Sequence, residues 1–377
     1  MTRGGQQRGA GVLGARVPGA VLGARVLRAV LGAVLGAMVL GAATGVAAQA
    51  LEQKMRAAGT GNAVTWVGYR VPMVAGPRQM CCYDMITDGD ALAGGTCRLE
   101  SGSGVSMNTG DSLSQRGSRV MLESPTEFIV LARMEAGRVS RIRTFTPDCS
   151  LDAGGMPVVW LKEVTPDESI AWLATLVTSA PETGEQKDRV GKTAMTAVAL
   201  HNVPAADRAL ESFVAPTRAE WLRGDTAFWL GSARGEAGAR LLARMVAQDP
   251  SDRVRDKATF GLSVSKVPLA LTTLIATARD DKSTRVRGQA LFWLAQKAGK
   301  EAMATLSGAI DNDPEIEVKK KAVFALSQLP AGEGVPKLIE VARTHRNPEV
   351  RRQAMFWLGQ SKDSRATKFF EDVLLKK

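Results

Sequence analysis

The residues with the clearest potential for chemistry are four cysteines, Cys81, Cys82, Cys97 and Cys149. A bond between two adjacent cysteines is sterically poor, so two disulfides would join one of Cys81 and Cys82 to Cys97 and the other to Cys149. A zinc site with four thiolates is an alternative, although the spacing lacks the CxxC pairs that such sites use. A redox-active Cys81–Cys82 pair is a third interpretation of these cysteines. We favour the disulfides, each of which would stabilise a small domain by about 2–4 kcal/mol.

Other residue types that could support catalysis are scarce. The two histidines, His201 and His345, fall in predicted inter-helix loops, where we expect both to be solvated. Any histidine-based nucleophilic triad would have to use one of them, and the sequence has no HExxH motif. Gly191-Lys192-Thr193 resembles the end of a phosphate-binding loop, but Gln186 stands in place of its first glycine. The sequence therefore predicts no catalytic centre, no metal site and no cofactor.

The elements that carry these residues follow from a repeat of 32 residues in the C-terminal half. One row of core positions recurs at this spacing without insertion: Val198, Leu230, Leu262, Leu294, Leu326 and Leu358. Three more apolar rows, one of them a phenylalanine row, keep the same register. Because a period of about 20–50 residues marks stacked repeats, we predict a solenoid of six helix pairs.

The helical wheel predicts how the first helix of each pair packs. Val286, Ala290 and Leu294 lie on one broad face, and further apolar residues cover both flanks. Such a helix must contact its partner helix and both neighbouring repeats. A separate helix opens at Thr165-Pro166-Asp167-Glu168, which supplies a capping threonine, a first-turn proline and an acid three residues on. We expect this helix to cap the first face of the solenoid.

The repeat unit carries a family resemblance. The stretch DPEIEVK at residues 313–319, followed by Ala322 and Leu326, resembles HEAT repeats, in particular the short HEAT-like type also found in phycobilin lyases. Residues 347–359 show the same pattern, and the resemblance covers about residues 187–377. It implies an α–α superhelix that serves as a protein-binding scaffold. The first repeat departs most, with Thr196 and Ala197 where later repeats have phenylalanine and then tryptophan or its substitutes.

Two rows of side chains within the repeats could be structural or could bind ligands. Tryptophans alternate with small residues in one row, and we expect them to fill the core rather than to stack on a ligand. They are Trp229, Trp293 and Trp357. A basic row should pair with acids of neighbouring loops. Its members are Arg255, Arg287, Lys319 and Arg351, and the acids are Asp252, Asp281, Asp313 and Glu349.

Residues 51–164 have a different texture, with glycine, serine and β-branched runs. Alternating Phe128, Val130, Ala132 and Met134 predict a strand that is buried on one face. The sequence Glu135-Ala136-Gly137 predicts a hairpin turn after it. A glycine- and serine-rich stretch, residues 101–118, reads as a mobile loop. The four predicted strands are residues 63–71, 127–134, 138–145 and 157–161.

The first fifty residues resemble a targeting segment. They contain five arginines and no acid, and an apolar run at about residues 29–40 leads into small residues. This order predicts a secretory signal that is cleaved after Ala48, with Ala50 as the alternative. The five arginines account for almost half of the net charge of +11, and the remainder forms no dense basic stripe, so the charge does not indicate a nucleic-acid partner.

The sequence thus predicts three parts: a signal at residues 1–48, a β-rich disulfide-bonded domain at 49–164, and a mainly α HEAT-like solenoid at 165–377. The expected function is an exported, monomeric, non-enzymatic scaffold that binds a protein or peptide along its second helices, without stable membrane insertion. The alternatives are a small-molecule-handling enzyme of the bilin-lyase kind and a redox sensor that uses Cys81 and Cys82. The candidate binding residues are Arg240, Arg244, Thr272, Thr273, Lys337 and Glu340.

Overall fold

Helices dominate the computed structural model, which describes residues 45–59, 64–76, 79–81, 83–85, 91–93, 96–100, 106–108 and 125–375. The predicted signal lies almost entirely outside these residues. A first helix, α1, covers residues 45–58. The others are α2 (Pro166–Thr178), α3 (Thr193–Leu200), α4 (Pro204–Phe213), α5 (Glu220–Ala233), α6 (Gly235–Gln248), α7 (Asp252–Val264), α8 (Pro268–Asp280), α9 (Thr284–Ala298), α10 (Met303–Asn312), α11 (Ile316–Ser327), α12 (Val335–Thr344), α13 (Pro348–Gln360) and α14 (Ser364–Leu375).

The helices from α3 to α14 form six consecutive pairs, one for each predicted repeat. The first helices α5, α7, α9, α11 and α13 contact one another in order, and each also contacts its partner helix. The leucine row is buried in all five of these helices. The 32-residue spacing therefore corresponds to a stack of helix pairs. No helix in the described part of the chain is long and apolar enough to cross a membrane.

The first repeat is irregular, as its sequence suggests. A π-helical turn at Lys187–Lys192 leads into α3, which is shorter than the first helices of later repeats. Gly191, part of the sequence that resembles a phosphate loop, is buried in this turn. A Cβ atom there would lie 2.6 Å from the side chain of Ala180. Close packing accounts for this glycine without a phosphate ligand.

A four-stranded sheet lies before the solenoid, in the order β10-β1-β7-β8. Its strands are β1 (Thr65–Pro72), β7 (Glu127–Glu135), β8 (Arg138–Phe145) and β10 (Val158–Trp160). All four were predicted, with bounds that agree to within two residues. Glu135 pairs with Arg138, and Ala136 and Gly137 between them have left-handed φ angles of 49° and 72°. A two-residue hairpin turn requires such angles, which confirms the predicted hairpin.

The described residues also contain six short strands: β2 (Gln79–Cys81), β3 (Tyr83–Met85), β4 (Ala91–Ala93), β5 (Cys97–Arg98), β6 (Ser106–Asn108) and β9 (Leu151–Asp152). They form three two-stranded ladders, β2 with β6, β3 with β4, and β5 with β9. Most of the predicted loop at residues 101–118 lies outside the described residues, but its described part is strand β6. The sequence did not predict that strand.

The sheet is buried on both faces, so the prediction of a one-sided strand at β7 was wrong. Phe128, Val130 and the other predicted inward residues join the main core of the molecule. The opposite side chains, Ile129 and Leu131, join a second cluster with Trp66, Cys97, Leu99 and Phe145. The disulfide-bonded strands beyond the sheet supply part of this second cluster, which periodicity alone did not reveal.

The main core runs without interruption from the sheet into the solenoid. Helix α1, which the sequence did not predict, contributes the fully buried Leu51 and Met55. Helix α2 begins with the predicted capping box, in which Thr165 and Glu168 bond each other's backbone N–H. Its Trp172 packs edge-on against Tyr69 of β1, with ring centroids 6.4 Å apart. Helix α2 was expected to cap the solenoid, but it is an inner layer that the sheet covers.

Candidate functional site

The cysteines form disulfides. Cys81 bonds Cys149 across a sequence separation of 68 residues, with Cα atoms 5.3 Å apart. Cys97 is also disulfide-bonded, whereas Cys82 lies outside the described residues. The predicted link between one of the adjacent pair and Cys149 is confirmed, with Cys81 as that partner. This bond removes two of the thiolates that a four-thiolate zinc site needs, and it excludes a direct Cys81–Cys82 bond.

The disulfide joins strand β2 to the segment that follows β8. Cys81 is buried, and Met80 beside it donates its backbone N–H to the hydroxyl of Thr146 at 3.2 Å. Both Met80 and Thr146 are buried. The bond therefore fastens the outer strands onto the sheet, which is the structural role expected for cysteines in a segment with short strands.

His201 was expected to be solvated, and this was wrong. Its side chain is fully buried where α3 meets the sheet, and its ring packs edge-on against Phe128 of β7 at 5.2 Å. Nδ1 lies 2.6 Å from the Ala197 carbonyl oxygen, and Nε2 lies 2.9 Å from the Ser169 hydroxyl. A carbonyl can only accept, so Nδ1 carries the proton and Nε2 accepts from Ser169. Loop position alone did not show that the sheet would cover this residue.

A chain of hydrogen bonds continues from His201 to the sheet. The Tyr69 hydroxyl lies 2.8 Å from the Ser169 hydroxyl, so tyrosine donates to serine and serine donates to histidine. Burial lowers the pKa of His201 from 6.5 to about 4; the Ala197 hydrogen bond opposes this shift and the charge of Arg234 adds to it. Burial also raises the pKa of Tyr69. All three groups are neutral and hydrogen-bonded at neutral pH, which indicates a structural link between β1, α2 and α3.

His345 is half-buried and bonded rather than solvated. Its Nδ1 accepts from the backbone N–H of Asn347 at 3.1 Å, and Nε2 lies 3.2 Å from the carbonyl oxygen of Ile310. The imidazole thus bridges α10 and the loop before α13. The one sequence signal for this bridge is the position of His345 in the repeat, where the three preceding repeats have Asp249, Asp281 and Asp313.

The basic row pairs with loop acids, and two of the four expected acids, Asp281 and Asp313, take part. Arg255 forms two hydrogen bonds to Asp281 and Arg287 forms two to Asp313, at 2.7–3.1 Å. Arg223 pairs in the same way with Asp249, one period upstream. Each aspartate follows its arginine by 26 residues, and Asp252 and Glu349 take no part in these pairs. These buried pairs join each first helix to the loop that opens the next repeat.

The last two members of the row have carbonyl partners. Lys319 donates to Ile310 and Asp311, and Arg351 donates to His345 and Arg346. The residue 26 positions after Lys319 is His345, so no carboxylate stands there. Every member of the row therefore has an intramolecular hydrogen-bond partner.

The tryptophan row belongs to an aromatic ladder along the first helices. Phe228 stacks on Phe260 with ring centroids 5.8 Å apart, and Phe292 stacks on Phe324 at the same distance. Trp293 contacts both Phe260 and Phe292 at 4.8 Å, and so connects the two stacks. The ring faces contact one another, which leaves little free face for a ligand to stack on. The tryptophans are half-buried against the core, as expected for a structural row.

The candidate binding residues lie on second helices, as predicted, but most already have intramolecular partners. On α6, Arg244 pairs with Glu211 of α4 at 2.7 Å. On α8, the hydroxyls of Thr272 and Thr273 both donate to the carbonyl of Leu269. On α12, Lys337 pairs with Glu340 at 2.7 Å and approaches Asp311 of α10 at 3.8 Å. The structure does not bring the six residues into one cluster.

Arg240 on α6 is exposed, and no ion pair engages it among the described residues. Arg208, 32 residues earlier on α4, is exposed in the equivalent position and likewise has no ion pair within the described part. Helices α4 and α6 are in contact, so these two cations lie on neighbouring second helices. Sequence reasoning missed Arg208, although the 32-residue register that identified Arg240 also points to it.

No family model matches this chain, and no curated protein matches it. Among solved structures, human deoxyhypusine hydroxylase in complex with glycerol is similar at 16% identity over 55% of this chain and 79% of that one, with a TM-score of 0.29. Escherichia coli YibA is similar at 21% identity over 52% of this chain and 71% of that one, with a TM-score of 0.33. Because both TM-scores are below 0.5, these similarities assign no function to this chain.

Proposed function

We propose that this protein is an exported, non-enzymatic scaffold that binds a protein or peptide along the second helices of a HEAT-like solenoid. The observation that carries the proposal is the layer of second helices, from α4 through α14, on which Arg208 and Arg240 present unpaired cations in one row. On first helices α5, α7 and α9, the arginine at the repeated position is used internally, in a buried Arg–Asp pair. The proposal places the contact with an acidic partner at the exposed Arg208 and Arg240 on the second helices.

Export is part of the proposal and rests on two features. The arginine-bearing and apolar order of residues 1–48 is that of a secretory signal. The disulfide between Cys81 and Cys149 favours an oxidising compartment. Cleavage after Ala48 would keep Leu51 and Met55, the two residues of α1 that are fully buried.

The proposed partner surface is tested by charge reversal in the full-length chain. Envelope proteins would be captured on wild-type protein and on variants Arg240→Glu, Arg244→Glu and Lys337→Glu, with Arg208→Glu added. We expect the affinity for the captured partner to fall by about tenfold at low salt and by less at high salt, since rim charges act mainly on association. Thermal stability should change little for the exposed Arg208 and Arg240, whereas reversal at Arg244 or Lys337 also breaks an ion pair, with Glu211 or Glu340, and should lower it.

The matched control is Arg253→Glu, since Arg253 is an exposed arginine on first helix α7 and has no ion pair in the described residues. This variant should bind as the wild type does. If partner binding were insensitive to all four reversals on the second helices, or if Arg253→Glu weakened it equally, the proposed surface would be wrong.

A further inference from the structure

Among the described residues, strand β10 forms an edge of the main sheet that has no further strand beside it. It pairs there only with β1, in parallel, so that Val158 lies opposite Trp66 and Trp160 opposite Gly68. The bonds to β1 use Pro157, whose carbonyl accepts from Trp66 at 2.9 Å, and Leu161, whose N–H donates to Gly68 at 2.8 Å. Backbone groups alternate in direction along a strand. The N–H and C=O groups of Val158 and Trp160 therefore point outward, where no described residue pairs with them.

Two apolar side chains are exposed on this edge. Val158 is 37% exposed and Trp160 is 47% exposed, and both project to the same face because they are two residues apart. The Trp160 ring lies on Gly68, where an added Cβ atom would be 2.9 Å from the ring. Glycine at this position thus provides the space for the indole, and exposure leaves part of the ring available to a second molecule.

A cavity and an unpaired cation adjoin the edge. The cavity has a volume of about 400 Å³ and is lined by Tyr69, Arg70, Trp160, Leu161, Glu163 and Val164. Arg70 is exposed, and its side chain makes no ion pair or hydrogen bond with any described residue. After Leu161 the chain turns away from the sheet, and Glu163 has a left-handed φ of 56°. That backbone conformation is uncommon for a glutamate, and the turn ends the strand beside the cavity.

We propose that β10 is the docking edge for an extended peptide segment of a partner protein, with apolar residues at alternate positions and a carboxylate that reaches Arg70. The peptide backbone would pair with Val158 and Trp160 as a fifth strand of the sheet. Its apolar side chains would pack on the exposed side chains of the same two residues, and its carboxylate would bond the guanidinium. This site is separate from the second helices, so it does not depend on the function proposed above.

The test uses the full-length chain and a synthetic library of octapeptides. Each peptide has valine, leucine or phenylalanine at alternate positions and threonine elsewhere, and ends in either a free carboxylate or an amide. The tightest peptide would be labelled and its affinity measured by fluorescence polarisation. N-methylation of the alternate residues that face β10 should weaken binding at least about tenfold, whereas N-methylation of the other set should change it by less than about twofold, because only one edge of the peptide pairs. This comparison leaves the protein unchanged.

Charge variants test the carboxylate contact. Arg70→Gln should weaken the free-carboxylate peptide about fivefold and leave the amidated peptide unaffected, because only the carboxylate meets the guanidinium. Glu163→Gln should strengthen binding of the free-carboxylate peptide, since it removes an acid that repels the carboxylate from the cavity. Arg208→Glu and Arg240→Glu should bind both peptides like the wild type, so that failure of the second-helix proposal can be told from failure of this one.

Three outcomes would overturn the proposal. The first is that no library peptide binds the wild-type chain more tightly than it binds Arg70→Gln. The second is equal sensitivity to both sets of N-methyl groups. The third is strong protection of the Val158 and Trp160 amides from hydrogen exchange in the free protein. Protection that is independent of concentration would assign the edge to the chain itself, and protection that rises with concentration would assign it to a second copy.

Discussion

At the residue scale, the charged and polar side chains that are buried in this chain have close partners. Arg223, Arg255 and Arg287 are buried with their aspartates in two-point contacts. A buried ion pair is tolerated only when its geometry satisfies both charges, and here the arginine also bonds loop carbonyls. His201 is instead neutral, because burial lowers its pKa, and both of its ring nitrogens are hydrogen-bonded.

The neutrality of His201 predicts a pH dependence of stability. The pKa is about 4 in the folded chain and 6.5 ordinarily, so the unfolded state binds the proton first. Stability is therefore full above pH 6.5, falls as the pH decreases below that value, and levels off near pH 4. The loss amounts to about 3 kcal/mol in total. Urea unfolding at about pH 7.5 and about pH 5 would measure most of it.

The control compares two histidine variants. His201→Gln should abolish this part of the pH dependence, whereas His345→Gln, which removes a half-buried histidine, should keep it. Equal slopes for the wild type and His201→Gln between these pH values would show that the buried histidine does not control stability.

At the element scale, close contact between first helices explains which glycines the repeats require. Helices α5 and α7 approach so closely that a Cβ atom added at Gly231 would overlap the backbone of Gly261. The second helix α10 is different, since no atom lies within 4 Å of a Cβ added at Gly308. Glycine within a helix is otherwise unfavourable relative to alanine by about 0.5–1 kcal/mol. The two positions therefore make opposite predictions.

We expect Gly231→Ala to lower the free energy of unfolding by about 1–3 kcal/mol or more, since the helices must separate to accept the methyl group. Gly308→Ala should raise the free energy of unfolding by about 0.5–1 kcal/mol, because alanine favours the helix more than glycine does and no contact is lost. Chemical denaturation of the full-length chain would measure both changes. Stabilisation by Gly231→Ala would mean that α5 and α7 do not pack at the distance described.

At the scale of the whole molecule, the sheet and the solenoid share a core. Trp172 of α2 packs on Tyr69 of the sheet, and His201, directly after α3, packs on Phe128. Arg234, at the end of α5, donates to the carbonyls of Ala199 and His201 and so fastens the second repeat to this junction. Contacts in a solenoid are mostly between neighbours, so the influence of the sheet should decrease along the stack.

Removal of residues 1–164 tests this coupling. The fragment 165–377 should retain strongly helical circular dichroism, because repeats two to six keep their contacts. Hydrogen exchange in α2 and α3 should become at least about tenfold faster, since Trp172 and His201 lose the sheet that covers them. Helices α9 to α12 serve as internal controls and should exchange at their original rates. Unchanged exchange in α2 and α3 would show that the sheet is an independent appendage.

The sequence by itself determined the elements that depend on local periodicity. The 32-residue register placed six helix pairs, the capping box placed the start of α2, and alternation with a glycine turn placed the β7–β8 hairpin. It also predicted that Cys149 would bond one of the two adjacent cysteines, because the third pairing is sterically excluded. The same register also locates Arg208 once Arg240 is known. These features follow from the types and spacing of residues along the chain, so a single sequence is enough to predict them.

Only the tertiary structure decided which surfaces those elements cover. Periodicity cannot show that β7 is buried on its second face, that His201 lies under the sheet, or that α1 packs on the main core, because each depends on residues distant in sequence. Periodicity also did not show which of the expected loop acids each arginine bonds, because the side chains of Arg255 and Arg287 reach across to the loop after the next helix. The open edge at Val158 and Trp160 is likewise a result of strand order, which long-range pairing sets.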